Sequence, residues 1–292
     1  MSKIAVSIIV PFYYGNKYID DIYEIVQKNC EILKIHNCKN TIELIIVNDS
    51  PKEQVNLPRK TMDYKIKYIE HEKNCGIQQA RVTGLMNADG SYVVFLDQDD
   101  ELAENCVYKE LKLIGMADVL VCNAWIEDSI GEKTPLYRTK GMMKNALQIE
   151  PYLTGHNRII SPGQCMIKKD SIPSAWMNHI MKVNGSDDLF LWILLFSKKA
   201  IFKGCSEIIY THKYTGENLS AEANKMTIST ISMIEYLREI DYVKPDFVDE
   251  IEKDRNFSLE WNNCSVPLKI KKIVCNRDIL IKRIRWKIRS MI

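Results

Sequence analysis

The sequence predicts an α/β fold: a mainly parallel central sheet flanked by helices, followed by a helical C-terminal region. Three observations carry this expectation. Short runs that are apolar throughout alternate with segments of helical period, as in a sheet covered on both faces. Acidic and aromatic residues gather just after these runs, where open parallel sheets bind ligands. From Ala221 onward the strand signals stop, and Met226, Met233, Leu237 and Ile240 share one helical face.

Residues 4–10 form the first strand, a continuous β-branched run, and residues 42–47 repeat the type. Residues 65–69, 92–97 and 117–122 add three more. A helix over 18–33 carries Ile22, Ile25, Val26 and Leu33 on one face, and a second over 77–88 aligns Ile77, Ala80, Gly84, Leu85 and Ala88. After Ile126 the pattern breaks at Gly131, Pro135, Gly141, Pro151, Gly155, Pro162 and Gly163. Order returns as a helix over Asp187–Ser197 and a strand over 206–212. Trp176 and Trp192 are expected in the core.

Composition narrows the class. A chain of 292 residues with 46% hydrophobic and 27% charged side chains can bury a sizeable core without disulfides or metal. The formal charge of +2 argues against a dedicated nucleic-acid binder. Nine cysteines at scattered spacing, with no CxxC, fit neither a zinc ribbon nor a disulfide framework. They are expected as buried small hydrophobes in a reducing cytosol. The opening MSKIAVSIIVPFYYGN reads as a buried strand and not as a signal peptide. No apolar run reaches the length of a membrane span.

Three strand ends carry the chemistry: Pro11-Phe12-Tyr13, Asn48-Asp49-Ser50 and Asp97-Gln98-Asp99-Asp100. Neither the dinucleotide fingerprint nor a GxxxxGK[ST] loop is present, which disfavours NAD enzymes and P-loop NTPases. Asp97 and Asp99 project to the same side if the strand stays extended. Carboxylates converging there suit a magnesium-like ion bridging substrate phosphates. The alternative is an acidic turn, with Asp100 capping a helix that begins near Leu102.

The segment NCGIQQARVTGLMNADGSYVVFLDQDD, residues 74–100, resembles family 2 glycosyltransferases of the GT-A fold, whose central sheet is Rossmann-like. The opening VSIIVPFYYGNKYI and the strand end IIVNDS match the same family in the same order. The resemblance divides the chain into a catalytic domain at 1–220 and a helical region at 221–292. Within the first, residues 1–100 are the nucleotide-binding half and 101–220 the acceptor-binding half.

The resemblance implies roles. Pro11, Phe12 and Tyr13 would line the nucleotide pocket, with Asn74 and Gln98 beside it. Asp49 would pair with the base edge and Arg81 would reach the base or phosphates, a combination suited to uracil. Asp97 would meet the ribose or metal, and Asp99 would hold Mn2+ or Mg2+. In GSDDLFLWILL, Asp187 replaces the family's glutamate and Asp188 holds the position of the catalytic base. Gly163 and Gln164 would lie near the donor sugar and acceptor. The stretch YTHKYTGENLS, residues 210–220, resembles a loop closing over the diphosphate. His212 is a second metal candidate there, although the family's histidine falls nearer Thr215.

Residues 267–292 contain nine Lys/Arg and one acid, leaving 31 basic and 37 acidic side chains for the rest of the chain. On a helical wheel Ile270, Val274, Ile281, Ile284, Ile288 and Met291 fall together, opposite the cations, with Ile279 and Trp286 among the basic residues. This fits an interfacial helix on anionic lipid, with docking on the protein or an oligomer contact as alternatives. The expected activity is inverting, metal-dependent transfer of a sugar from a nucleoside-diphosphate sugar, a uridine one, to a saccharide or lipid-linked saccharide in bacterial surface polysaccharide synthesis. A non-catalytic sugar-nucleotide-binding module at the membrane and a sugar nucleotidyltransferase are the rivals. The expected location is cytoplasmic, with peripheral attachment to the inner face of the cell membrane through the basic helix.

Overall fold

The computed structural model describes residues 4–58, 60–154, 157–214, 223–262 and 276–291. A 9-stranded sheet runs in the order β3-β2-β1-β4-β8-β6-β9-β5, with β7 paired to β6. Its first half is parallel: β1 (Ile4–Phe12), β2 (Thr41–Asn48), β3 (Lys65–Glu70) and β4 (Tyr92–Phe95). The second half is mixed. There β8 (Cys165–Lys168) runs antiparallel to β4 and to β6 (Val119–Glu127). Strand β9 (Phe202–Lys213) is parallel to β6 and antiparallel to β5 (Glu101–Leu102), while β7 (Lys133–Pro135) pairs antiparallel with β6.

Period-two alternation sorts the strand residues into two cores, one per face of the sheet. Ile8, Val10, Leu44, Ile46 and Val94 pack beneath α1 (Ile19–Ile35) and α3 (Cys106–Ile114). Ile9, Ile45, Val47, Val93 and Phe95 face α2 (Ile77–Met86) and α6 (Asp187–Ser197). Helix α6 is apolar nearly all round and is buried on every side from Leu189 to Leu195, with Asp187 buried at its start. Trp176, on the short α5 (Ser174–Asn178), and Trp192 are both fully buried.

Met233, Leu237, Val248 and Ile251, from α7 (Ala223–Glu239) and α8 (Pro245–Asn262), belong to the same core cluster as α6. The last helix, α9 (Arg277–Arg289), packs on α4 (Lys140–Ala146) and on the 3₁₀ turn Tyr152–Thr154. The described cysteines are all free, and Cys30, Cys106, Cys122, Cys165 and Cys205 are buried. Among the described residues no helix is long and apolar enough to cross a membrane. Residues 215–220 of the expected diphosphate loop, and Ile270 and Val274 of the tail, lie outside the described residues.

Candidate active site

Strand β4 ends at Phe95, and the chain then turns so that the Asp100 amide donates to the Asp97 carbonyl at 3.1 Å. Arg81 sits on the buried face of α2, which lies across β1 and β2, and is only 3% exposed. It donates from Nη2 to Asp97 and from Nη1 to Asp187 Oδ2 at 2.7 Å. One guanidinium thus joins the acidic strand end to the first residue of α6. Burial works against its charge, but Asp97, Asp187 and Asp188 outweigh that and raise its pKa. Both terminal nitrogens of Arg81, expected to reach the base or phosphates, bind carboxylates here, so the residue also organises the site.

Asp188 is the next residue along. Its Oδ2 accepts a hydrogen bond from Asn157 Nδ2 at 2.6 Å. Burial first, then the charge of Asp187, push the Asp188 carboxyl up to about 7, and Arg81 holds it from rising further. A carboxylate poised near neutrality, at the N-terminal end of a helix, has the properties of a general base.

Asp100 does not cap a helix, since residues 101–102 pair with β9 and α3 starts only at Cys106. Its carboxylate instead takes the Tyr210 hydroxyl, the Lys213 amide at 2.8 Å and His212 Nδ1 at 3.0 Å. Burial opposes a charged His212, but the hydrogen bond and charge of Asp100 outweigh it and raise the imidazole pKa. Tyr210 also meets Ser161 Oγ at 2.8 Å, and Ser161 donates to Asp97 at 3.0 Å. Gly163 permits this packing: a Cβ there would lie 2.4 Å from the Tyr210 ring.

Asp99 differs from its neighbours. Among the described residues no side chain donates a hydrogen bond to it. Burial, then the charges of Asp100 and Asp97, push its carboxyl up to about 6. A carboxylate with no side-chain donor among the described residues, set between like charges that only its own amide and His212 offset, fits a hard divalent cation such as Mg2+ or Mn2+. The tightest ligand-type cluster lies elsewhere, at Asp49, His71 and Cys75. Its atoms are already engaged. Asp49 Oδ1 takes His71 Nδ1 at 2.8 Å and the Cys75 amide at 2.7 Å, and Oδ2 takes the Gly76 amide at 2.8 Å. His71 Nε2 meets Thr83 Oγ1 at 2.9 Å, and the Cys75 thiol donates to the Lys73 carbonyl at 3.2 Å. We read this cluster as a hydrogen-bonded mount for Asp49, whose Oδ2 still has room for one more donor.

The remaining predicted residues separate by burial. Phe12 is fully buried in the core beneath α1, and Pro11 is buried as well. Tyr13 is 49% exposed. Its backbone is clamped by Gln98, which accepts from the Tyr13 amide at 2.8 Å and donates to its carbonyl at 2.9 Å. Asn74 is exposed and accepts from the Gly76 amide at 3.1 Å. Gln164 is fully buried, donating to the Cys122 carbonyl at 2.9 Å and the Tyr137 hydroxyl at 3.1 Å. It accepts the Ile160 amide at 2.9 Å, so its side chain braces the loop. Asn157, Ser161, His71 and Tyr210 join the site without having been singled out. A strand tyrosine and isolated polar loop residues carry no pattern that marks them.

Comparison with known proteins follows this geometry. A sequence model described as glycosyl transferase family 2 matches residues 7–174. Glycosyltransferase GlyA of Streptococcus pneumoniae is 35% identical over 127 residues, covering 40% of this chain and 16% of that protein. The putative teichuronic acid biosynthesis glycosyltransferase TuaG of Bacillus subtilis is 23% identical over 245 residues, covering 83% of this chain and 92% of that protein. The chain thus spans a small part of the first relative and nearly all of the second. The crystal structure of S. aureus TarS 1–349 in complex with UDP-GlcNAc matches with a TM-score of 0.59 at 16% identity, covering 96% of this chain and 81% of that one. At that identity the likeness establishes the fold.

Proposed function

Since the chain belongs to glycosyl transferase family 2, we propose that it transfers a sugar from a uridine-diphosphate sugar to a hydroxyl of a saccharide or lipid-linked saccharide, inverting the anomeric carbon. The acceptor class and a role in bacterial surface polysaccharide synthesis are supported by TuaG, and the uridine donor by the UDP-GlcNAc held in TarS.

The observation that carries the reading is the Arg81 bridge, which sets the Asp188 carboxylate beside the acidic end of β4. Asp188 takes the proton of the acceptor hydroxyl as its oxygen attacks the anomeric carbon. The carbon–oxygen bond to the diphosphate breaks on the opposite face, and its electron pair leaves with the nucleoside diphosphate. Asn157 orients the accepting carboxylate, and the surrounding apolar α6 keeps bulk water from competing for it. Asp49, with its free acceptor capacity, suits the ring N–H of uracil, and the exposed Tyr13 ring offers a stacking face. Asp99 would hold a divalent cation, which supplies charge neutralisation for the departing diphosphate.

A thermal-shift panel tests the reading. Uridine diphosphate with Mn2+ should raise the melting temperature more than the guanosine or cytidine equivalents, and Asp99→Ala should lose the metal-dependent part. Equal shifts for all three nucleotides would sink the donor assignment. A metal effect that survives in the Asp99 variant would sink the ligand assignment.

A further inference from the structure

Helix α9 is apolar on two sides, and the protein covers only one of them. The covered side is anchored by Ile279 and Trp286, 5% and 8% exposed. Arg283 lies on the same side, donating to Asp254 from Nε at 2.9 Å and from Nη2 at 2.7 Å. Asn145 donates to Ser290 Oγ at 2.8 Å, and Thr139 to the Ser290 carbonyl at 2.6 Å. Positions 279, 283, 286 and 290 recur at helical spacing and define one face.

The opposite face holds a second stripe. Ile281, Ile284, Ile288 and Met291 are 55%, 57%, 54% and 68% exposed, half a turn away from the anchors. Exposed aliphatic side chains aligned over the whole length of a helix are unusual on a soluble surface. Cations surround them: Arg285 and Arg289 on one flank, Lys287 on the other, Arg277 at the start. None of these four is in an ion pair among the described residues, and Arg289 lies over the Trp286 ring at 4.8 Å. The acids nearby are engaged, with Asp278 bound to Lys253 at 2.6 Å and Glu250 to Lys282 at 2.8 Å.

From this we infer that the outer face of α9 docks on an anionic bilayer surface, its aliphatic stripe entering the headgroup boundary and its flanking cations meeting lipid phosphates. Charge complementarity selects this occupant. A second copy of the chain, laid stripe against stripe, would bring the unpaired cations together with no acid to meet them. A bilayer rich in acidic lipid offers the opposite charge and an apolar boundary at once. The helix is anchored on its inner face by Arg283, Thr139 and Asn145. It packs on the 3₁₀ turn Tyr152–Thr154 and on α4. This docking is independent of the donor assignment.

The test is co-sedimentation of the full chain with phosphatidylcholine vesicles, with and without phosphatidylglycerol. Binding is expected only to the anionic vesicles and should weaken as salt rises. Ile284→Asp with Ile288→Asp should abolish it, and Arg285→Ser with Lys287→Ser should weaken it by about fivefold per cation removed. All four side chains face solvent, so both variants should keep the wild-type melting temperature and the nucleotide-dependent shift. That shift separates failure here from failure of the donor reading. Equal binding to neutral vesicles, no binding at all, or unaltered binding by both variants would overturn the inference. So would a dimer in vesicle-free buffer that Ile284→Asp with Ile288→Asp dissolves, since that outcome assigns the stripe to a second copy.

Discussion

Replacing Arg81 by methionine removes the cation that two carboxylates share while keeping an unbranched side chain of similar length. The pair with Asp187 is among the most buried in the molecule, with side chains 4% and 5% exposed at 2.7 Å. Asp97, at 20% exposed, can regain some water once the guanidinium is gone. Asp187 cannot. Removing one partner of such a pair strands a buried charge and costs about 3–5 kcal/mol. An exposed pair would cost less than about 1 kcal/mol. Against a total stability of roughly 5–15 kcal/mol, the larger loss shifts the urea midpoint by a readily measured amount. The double variant Arg81→Met with Asp187→Asn should be more stable than Arg81→Met alone, because the stranded charge is removed with its partner. A loss below about 1 kcal/mol, or a double variant no more stable than the single one, would refute the buried-clamp argument.

Asp188→Asn should retain the nucleotide-dependent thermal shift yet lose transfer; wild-type-like turnover would eliminate Asp188 as the base. In the wild type, kcat/KM should fall on the acid side with a pKa of about 7, and Arg81→Met should move that limb to higher pH because Arg81 stabilises the carboxylate. The same group has a signature in stability. Its folded pKa of about 7 lies above the ordinary carboxylate value of about 4, so the native state binds the extra proton between them. Stability contributed by protonated Asp188 is full below about 4 and is lost as pH rises through about 7. Asp188→Asn should therefore be more stable than wild type at pH 8, with the difference shrinking toward pH 4 in urea titrations. Gly163→Ala places a Cβ 2.4 Å from the Tyr210 ring and 3.0 Å from the Phe95 carbonyl. Overpacking there should cost about 1–3 kcal/mol, and an unchanged melting temperature would show that the loop can shift aside.

The parallel half of the sheet is legible in the sequence because strands buried on both faces are apolar throughout. The mixed half is not. Strands β5, β7 and β8 have two, three and four residues, too few to carry a period, and β9 starts at Phe202 with much of its length half-exposed. At the site, residue types are legible and partners are not. Asp97, Asp188 and Arg81 stand out by motif, yet the 106-residue separation between Arg81 and Asp187 hides that they pair. Gln98 and Gln164 resemble ligand contacts because they are polar and sit within motifs. Each amide instead binds the protein's own backbone, an arrangement visible only when the loops are folded. Helix α9 shows the converse. Ile279 and Trp286 look misplaced on a wheel divided into one apolar and one basic side, because the helix has a docked face as well as the exposed stripe.

The spacing of the Arg81 partners along the chain also limits when each contact can form on the emerging polypeptide. Asp97 lies 16 residues from Arg81, so this contact can form as soon as the first half of the sheet has left the ribosome. Asp187 arrives only after more than half of the chain has been made, and with it comes the carboxylate next in line. Until then Asp97 can partner the guanidinium, so the first half of the sheet need carry no stranded charge at this position. The second half of the clamp can therefore close only once α6 has been made, so this bridge across the two halves of the chain is completed late.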